Sequence, residues 1–243
     1  MTGASERPAR KGAVAIMQPT FLPWSGYFAL MLQAEKFVFL DSVQFVRRSW
    51  QQRNRIKTPD GPLWLTVPVL SRGARDQLIS EVQIDHTSGW IEKMVRTITH
   101  HYARAPHFVP HAEAVFAILR KRHERLADLN IELIAHLQGA LAIECALVRS
   151  STLGGSGHKA DLLASLCAEL GAKAYVAAVG SKEYIDESTA FQERGIEVRY
   201  NSYQALAYPQ LHGPFEPFLS VLDLLLNVGP QSAARIREGL TAP

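Results

Sequence analysis

An α/β fold built on an open, mainly parallel sheet with a helical insertion is predicted by three observations. Short, wholly apolar runs at residues 13–17 and 37–40 stop on polar or proline residues, as strands buried on both faces do. A helix-compatible stretch, residues 27–34, lies between them, so the first forty residues read as a compact βαβ unit. After a long helical block, the alternation of strand and helix returns beyond Ser150.

In chain order, residues 13–17 form the first strand, which Gln18-Pro19 terminates because proline cannot donate to a ladder. Pro23-Trp24-Ser25-Gly26 leads into the first helix, and the second strand ends at Asp41. Residues 64–69 read as a third strand and residues 82–85 as a shorter one. Residues 89–102 and 111–144 carry a helical pattern, with Pro106 and Pro110 marking a break, so the insertion spans about 88–145. Beyond it come a helix at 159–170 closed by Gly171, strands at 174–178 and 196–200, and a helix at 218–226. No linker-like composition separates these parts. The expectation is therefore one Rossmann-like domain over 13–243, preceded by a disordered basic stretch, 1–12.

Bulk properties narrow the class. The 243 residues are 47% hydrophobic and 20% charged, an ordinary globular balance with enough apolar surface for a sizeable core. No apolar segment of signal-peptide length precedes Ala13, and no run of eighteen apolar residues occurs, so a cytoplasmic protein without membrane insertion is expected. A net charge of +3 is weak for a nucleic-acid binder, and no nucleic-acid partner is expected. Arg120, Lys121, Arg122 and Arg125 form a basic cluster that reads as a solvated helix face, or alternatively as a docking surface for an acidic partner. Cys145 and Cys167 have no partner spacing and read as buried free thiols.

Two constellations carry possible chemistry. The first is the turn from Gln18 to Tyr27, placed where an open sheet delivers its first loop to a helix and where such sheets bind ligands. Gly26 at the helix entrance would let an anionic group approach backbone N–H groups, unless the segment is simply a proline-stiffened turn with core aromatics such as Trp24. The second runs through Asp41, Gln44, Arg47, Arg48, Trp50, Arg53, Asn54 and Lys57, dense in polar groups and without a clear apolar period. Asp41 could bind a hydroxyl, an amine or a metal there, and Arg53 with Lys57 could hold an anion, although an exposed charged loop has the same composition.

Metal and covalent chemistry find little support. His107 and His111 are separated by Pro110, and His100-His101 would point to different faces, so no metal centre and no cofactor are expected. His158 follows Gly154-Gly155-Ser156-Gly157, a glycine-rich loop suited to a substrate contact or to a plain connector. Ser181 in Gly180-Ser181-Lys182-Glu183-Tyr184 lacks the second glycine of a nucleophile elbow.

The string Met17-Gln18-Pro19-Thr20-Phe21-Leu22-Pro23-Trp24-Ser25-Gly26-Tyr27-Phe28, then Leu40-Asp41-Ser42-Val43-Gln44-Phe45 and Trp64-Leu65-Thr66-Val67-Pro68-Val69, resembles the WbqC-like family. The likeness continues through Gly180-Ser181 with Tyr184, Tyr208-Pro209-Gln210 and the stretch from Phe218 to Asp223. The family is associated with O-antigen and related gene clusters, beside enzymes that make and N-acylate amino sugars. The resemblance implies an enzyme that forms an amide, moving an acyl or aminoacyl group from a thioester on coenzyme A or an acyl carrier protein to an amine such as an amino sugar or amino acid. Gln18, Asp41, Asn54, Ser181, Tyr184, Tyr208 and Asp223 match the family pattern. In this reading Asp41 orients or deprotonates the amine, while Gln18, Asn54 or Tyr184 meets the developing oxyanion. Trp24, Gly26, Tyr27, Gln44, Arg53, Lys57, His158, Ser181, Tyr208 and Asp223 are expected to contact substrate.

A fainter similarity joins residues 24–27 to the strand-loop-helix of nucleotidylyltransferases. Both histidines that bracket a glycine in that loop are missing here. ATP-dependent nucleotidyl or adenylyl transfer therefore stands as an alternative, as does a non-catalytic module that binds a carrier protein.

Overall fold

The computed structural model describes residues 10–70 and 76–241; of the basic stretch 1–12, residues 1–9 lie outside them. Seven strands form among the described residues: β1 (Ala13–Met17), β2 (Lys36–Phe39), β3 (Arg53–Thr58), β4 (Gly61–Thr66), β5 (Ala146–Arg149), β6 (Ala174–Ala177) and β7 (Glu197–Tyr200). Five of them build one sheet in the order β5-β2-β1-β6-β7, every pair parallel. Successive residues face opposite sides, and both sides are covered. Ala13, Ala15, Phe37, Phe39, Ala174 and Val176 enter one apolar cluster, whereas Val14, Ile16, Val38, Tyr175 and Ala177 enter another. Burial of both faces is why the inner strands β1, β2 and β6 read as continuous apolar runs, whereas the edge strand β7 alternates exposed Glu197 and Arg199 with Val198 and Tyr200.

The helices divide between the two faces. Helices α1 (Ser25–Gln33), α2 (Trp90–Tyr102), α3 (Phe108–Arg120) and α4 (Leu126–Ala140) all precede β5 and supply the larger cluster. Helices α5 (Ala160–Glu169), α6 (Lys182–Asp186) and α7 (Ala190–Glu193) contribute Leu163, Cys167, Ile185 and Phe191 to the opposite face. Helices α8 (Val221–Val228) and α9 (Ser232–Thr241) return to the first face through Leu222, Leu225 and Ile236. The chain thus winds outward from β1 in one direction, then in the other. The reversal falls between β1 and β6, and in doubly wound sheets a crevice opens at that point beyond the carboxyl ends of the strands.

Several local expectations change. The strand expected at 64–69 is one arm of an antiparallel hairpin, β3 with β4, separate from the main sheet. Its other arm lies inside the stretch that reads as a polar loop, because Arg53 and Arg55 alternate with the buried Asn54 and Ile56. Residues 82–85 make only isolated bridges, Gln83 with Arg125 and Ile84 with Val69. The helical pattern of 111–144 breaks at residues 121–125, where Arg122 has φ 56°. Pro110 breaks nothing, since it lies in the first turn of α3, where a missing N–H is harmless. Strand β5 carries too short an apolar signal to be read in advance. The helix expected from residue 218 starts at Val221, capped by Ser220, whose hydroxyl accepts from Leu222 N at 3.2 Å. In the basic cluster, Arg120 pairs with Glu92 at 3.0 Å and Lys121 pairs with Glu132. Among the described residues no helix is long and apolar enough to cross a membrane.

Candidate functional site

Beyond Met17 the chain turns through residues 18–23 before entering α1, and that turn is tied down from three sides. Asn54 Nδ2 on β3 donates to the carbonyls of Phe21 (3.2 Å) and Leu22 (2.7 Å), holding a segment in which Leu22 adopts φ 43°. Asn130 Nδ2 on α4 donates to the carbonyls of Pro19 (3.0 Å) and Gln51 (2.7 Å), joining the turn to the loop after β2. Tyr27, fully buried in α1, donates its hydroxyl to Gln18 O at 3.1 Å. Buried backbone carbonyls need partners, and these side chains supply them.

The turn forms one wall of a crevice of about 280 Å³ at the carboxyl ends of β1, β2 and β6. Met17, Leu40, Leu163 and Tyr175 line its apolar part, while Gln18, Thr20, Trp50, Ser181 and Tyr184 bring polar groups to it. Gln51 Nε2 donates to Gln18 Oε1 at 2.9 Å, and Gln51 Oε1 itself accepts from Val46 N at 2.9 Å. The orientation of the Gln18 amide is thereby set, and its Nε2 has no hydrogen-bond partner among the described residues. On the opposite strand, Ser181 Oγ donates to Ala178 O at 2.6 Å, shaping the 3-10 turn Val179–Ser181 that leads into α6 and Tyr184. Burial pushes the Tyr184 phenol up against an opposing pull from Ser181, so the tyrosine is a neutral donor at physiological pH. Among the described residues, the crevice lining contains no carboxylate, imidazole or thiol. Its chemistry is that of hydrogen-bond donors arranged beside an apolar surface, suited to a carbonyl or oxyanion.

Asp41 lies behind this crevice. Its carboxylate is buried and accepts from Arg149 Nε (2.7 Å), Ser150 Oγ (3.1 Å), Ser151 N (2.9 Å) and Ser151 Oγ (2.9 Å). Arg149 also reaches Asp128 on α4 at 2.6 Å. Asp41 therefore fastens the end of β5 and the following 3-10 turn, Ser150–Thr152, to the end of β2. Asn54 is likewise buried, with its Oδ1 accepting from Arg55 N at 2.8 Å. Of the four residues expected to be catalytic, Gln18 and Tyr184 share the crevice, whereas Asp41 and Asn54 support its walls.

Lys57, Tyr208 and Asp223 meet in a second polar cluster, under the hairpin. Asp223, in the first turn of α8, accepts from Tyr102 Oη (2.6 Å), Tyr208 Oη (2.7 Å) and Gln210 Nε2 (2.8 Å). Lys57 N donates to Tyr102 Oη at 2.8 Å, and Lys57 Nζ donates to Gln210 Oε1 and Gly213 O, both at 3.1 Å, and to Pro214 O. Burial raises the Asp223 carboxyl, opposed by its three donors and by the Lys57 charge.

The remaining expected contacts are scattered. The Trp24 ring packs over Gly26, where an added Cβ would stand 2.2 Å from a ring carbon, so the space above the glycine is filled by the protein's own side chain. Trp24 also meets Phe218 and Tyr203, with ring centroids 5.3 Å and 5.7 Å away. Gln44 is exposed, its amide 3.4 Å from Asp76 Oδ1. His158 is exposed just before α5 and outside the crevice lining. Arg53 lies over Trp64, its guanidinium carbon 4.3 Å from a ring centroid. Both cysteines are free, and burial pushes each thiol up to about 12. Among the described residues no group of three histidine, cysteine or acidic side chains could hold a metal ion.

Sequence reasoning missed Gln51, Asn130, Arg149 and Tyr102. Asn130 had a legible signal, an amide within the apolar pattern of α4, and Arg149 had another, a charge closing a strand. Gln51 and Tyr102 have none that separates them from neighbours of the same type.

Comparison with known proteins agrees with this architecture in extent. The model of the WbqC-like protein family matches residues 18–235, nearly the whole chain. The chain belongs to the WbqC-like family. A curated relative, the uncharacterized protein Rv1507c of Mycobacterium tuberculosis (strain ATCC 25618 / H37Rv), is 37% identical over 226 residues, which cover 92% of this chain and 97% of the relative. No solved structure matches. The family match begins at Gln18, so the crevice turn lies within the shared region, as do Asp41, Tyr184 and Asp223.

Proposed function

We propose that this WbqC-like protein is an acyl or aminoacyl transferase that forms an amide from a thioester and an amine. The observation that carries the reading is the Gln18 amide, fixed by Gln51 with its nitrogen unpaired among the described residues, sharing a crevice with the neutral phenol of Tyr184. Two such donors suit the carbonyl oxygen of a thioester, whose negative charge grows as nitrogen attacks. The amine nitrogen bonds to the carbonyl carbon, the carbon–sulfur bond breaks, and the proton released from nitrogen ends on the departing thiolate. An activated donor needs no protein nucleophile, in keeping with a crevice lined by no thiol among the described residues. Asp41 and Asn54 act in this reading as positioning residues, through Arg149 and Ser151 and through the turn at Phe21 and Leu22.

The test incubates the protein with an acyl-coenzyme A or an acyl carrier protein and an amino sugar or amino acid, following thiol release and amide mass together. Amide formation that falls about 100-fold in Gln18→Leu and in Tyr184→Phe is expected, the usual cost of losing one oxyanion donor. Pyrophosphate release that requires ATP would replace this reading with nucleotidyl transfer. A carrier protein held with its acyl group unconsumed would replace it with the binding module.

A further inference from the structure

The outward face of the hairpin carries a strip that the crevice chemistry does not use. On β3, Arg53 and Arg55 stand two residues apart and so point to the same side, and Arg55 is paired across the ladder with Trp64 on β4. The Arg53 guanidinium lies 4.3 Å from the Trp64 ring centroid, and Arg55 lies 5.8 Å from both Trp64 and Trp50. The two indoles are 5.1 Å apart and 41–46% exposed, unusual for the largest apolar side chains unless something covers them. Among the described residues no carboxylate pairs with Arg53 or Arg55, and the Nε of each is shielded from solvent without a hydrogen-bond partner.

Two features extend the strip. Trp50 also lines the crevice, so the strip is continuous with the proposed reaction site. At the other end, Trp64 borders a groove of about 510 Å³ whose walls include Thr66, Lys93 and Trp90. Trp90 is 7% exposed, and its indole N–H is buried without an acceptor. A volume of that size accepts a nucleoside. Aromatic faces and stacked guanidiniums suit a planar base, and two unpaired guanidinium forks suit a diphosphate better than a single carboxylate.

We infer that this strip binds a nucleoside diphosphate unit, with the base in the groove beside Trp64 and Trp90 and the diphosphate on Arg53 and Arg55. Its role in turnover rests on the acyl-transfer reading: the unit would be the handle of one substrate, either the adenosine diphosphate end of a coenzyme A thioester or the nucleotide of a nucleotide-linked amino sugar. Both sources share this chemistry, and they differ in base.

Binding is measurable without turnover. Titrating the whole protein with ADP, UDP and inorganic pyrophosphate, by calorimetry and tryptophan fluorescence, should show one nucleotide binding with quenching and pyrophosphate at least about tenfold weaker. A preference for ADP indicates the coenzyme source, and one for UDP the sugar nucleotide. Arg53→Gln with Arg55→Gln should weaken binding about tenfold or more, Trp64→Leu should weaken it and reduce the quenching, and Arg120→Gln should leave it unchanged. Thermal melting identifies any variant that fails to fold, and Arg55→Lys, retaining charge but losing the fork, should fall between wild type and the double variant. No binding of either nucleotide, equal binding of pyrophosphate, or affinity indifferent to Arg53, Arg55 and Trp64 overturns the inference. Amide formation from an acyl carrier protein that persists in any of these cases would leave the proposed function standing. Nucleotide binding without amide formation would do the reverse.

Discussion

The crevice at the end of β1 and the buried cluster around Asp223 are both dense in amides, phenols and charges, yet they differ in how much hydrogen-bonding capacity the protein itself consumes. Around Asp223, each carboxylate oxygen already has at least one phenol or amide donor, and Lys57 Nζ is engaged by three acceptors. In the crevice the Gln18 nitrogen is held in place and has no partner among the described residues. A satisfied buried network stiffens a fold, while a fixed, unsatisfied donor in an accessible cleft is free to act on something else. The family match does not separate the two, since Gln18 and Asp223 both lie within it.

That contrast can be broken or sharpened by substitution. The largest stability loss is expected at Asp41→Ala, which removes a buried carboxylate from Arg149 and two serines; a loss of about 3 kcal/mol in denaturant unfolding is predicted. Gln18→Leu and Tyr184→Phe should do the opposite, lowering amide formation about 100-fold, equivalent to about 2.7 kcal/mol, with little change in melting temperature. If they unfold the protein instead, the crevice belongs with the structural cluster. Gly26→Ala should cost about 1–3 kcal/mol, because the new methyl meets the Trp24 ring and that ring must move. Tyr102→Phe should cost about 1–2 kcal/mol, since it removes a donor to Asp223 and leaves Lys57 N unpaired, with kcat unaffected.

The smallest effect concerns pH. Asp223 has a raised carboxyl, so the protonated form is the one the folded state favours. Its contribution is full below the ordinary carboxylate value of about 3.9 and is lost as pH rises through the raised folded value, above which it stays lost. Asp223→Asn cannot ionise, so its stability relative to wild type should improve with rising pH across that window. Unfolding curves that run parallel across it would show that the three donors and Lys57 offset the burial in full.

How much of this was legible follows from the range of the forces involved. The parallel strands β1, β2 and β6 announce themselves locally, since burial on both faces demands apolar runs and Pro19 or Gly171 punctuates them, while the edge strand β7 shows as an alternation of Val198 and Tyr200 with exposed Glu197 and Arg199. β3 does not, because its buried side chains include the polar Asn54 and Lys57, so no apolar alternation shows. The crevice turn was conspicuous as a motif, but not the division of labour within it. Asp41 and Asn54 were as prominent as Gln18, and their burial depends on partners as distant in sequence as Arg149 and Leu22.

By itself the sequence determined a Rossmann-like α/β chain with an open, mainly parallel sheet, its family, and the placing of its first loop at the carboxyl end of the first strand. Each of these rests on periodicity or on contiguous residues. Only the tertiary structure decided which polar groups stay available. Gln18 is oriented by Gln51, thirty-three positions away, and Lys57 is paired off by residues more than one hundred and fifty positions along the chain. A hydrogen bond is satisfied by whatever the fold brings within about 3 Å, and no local pattern records that.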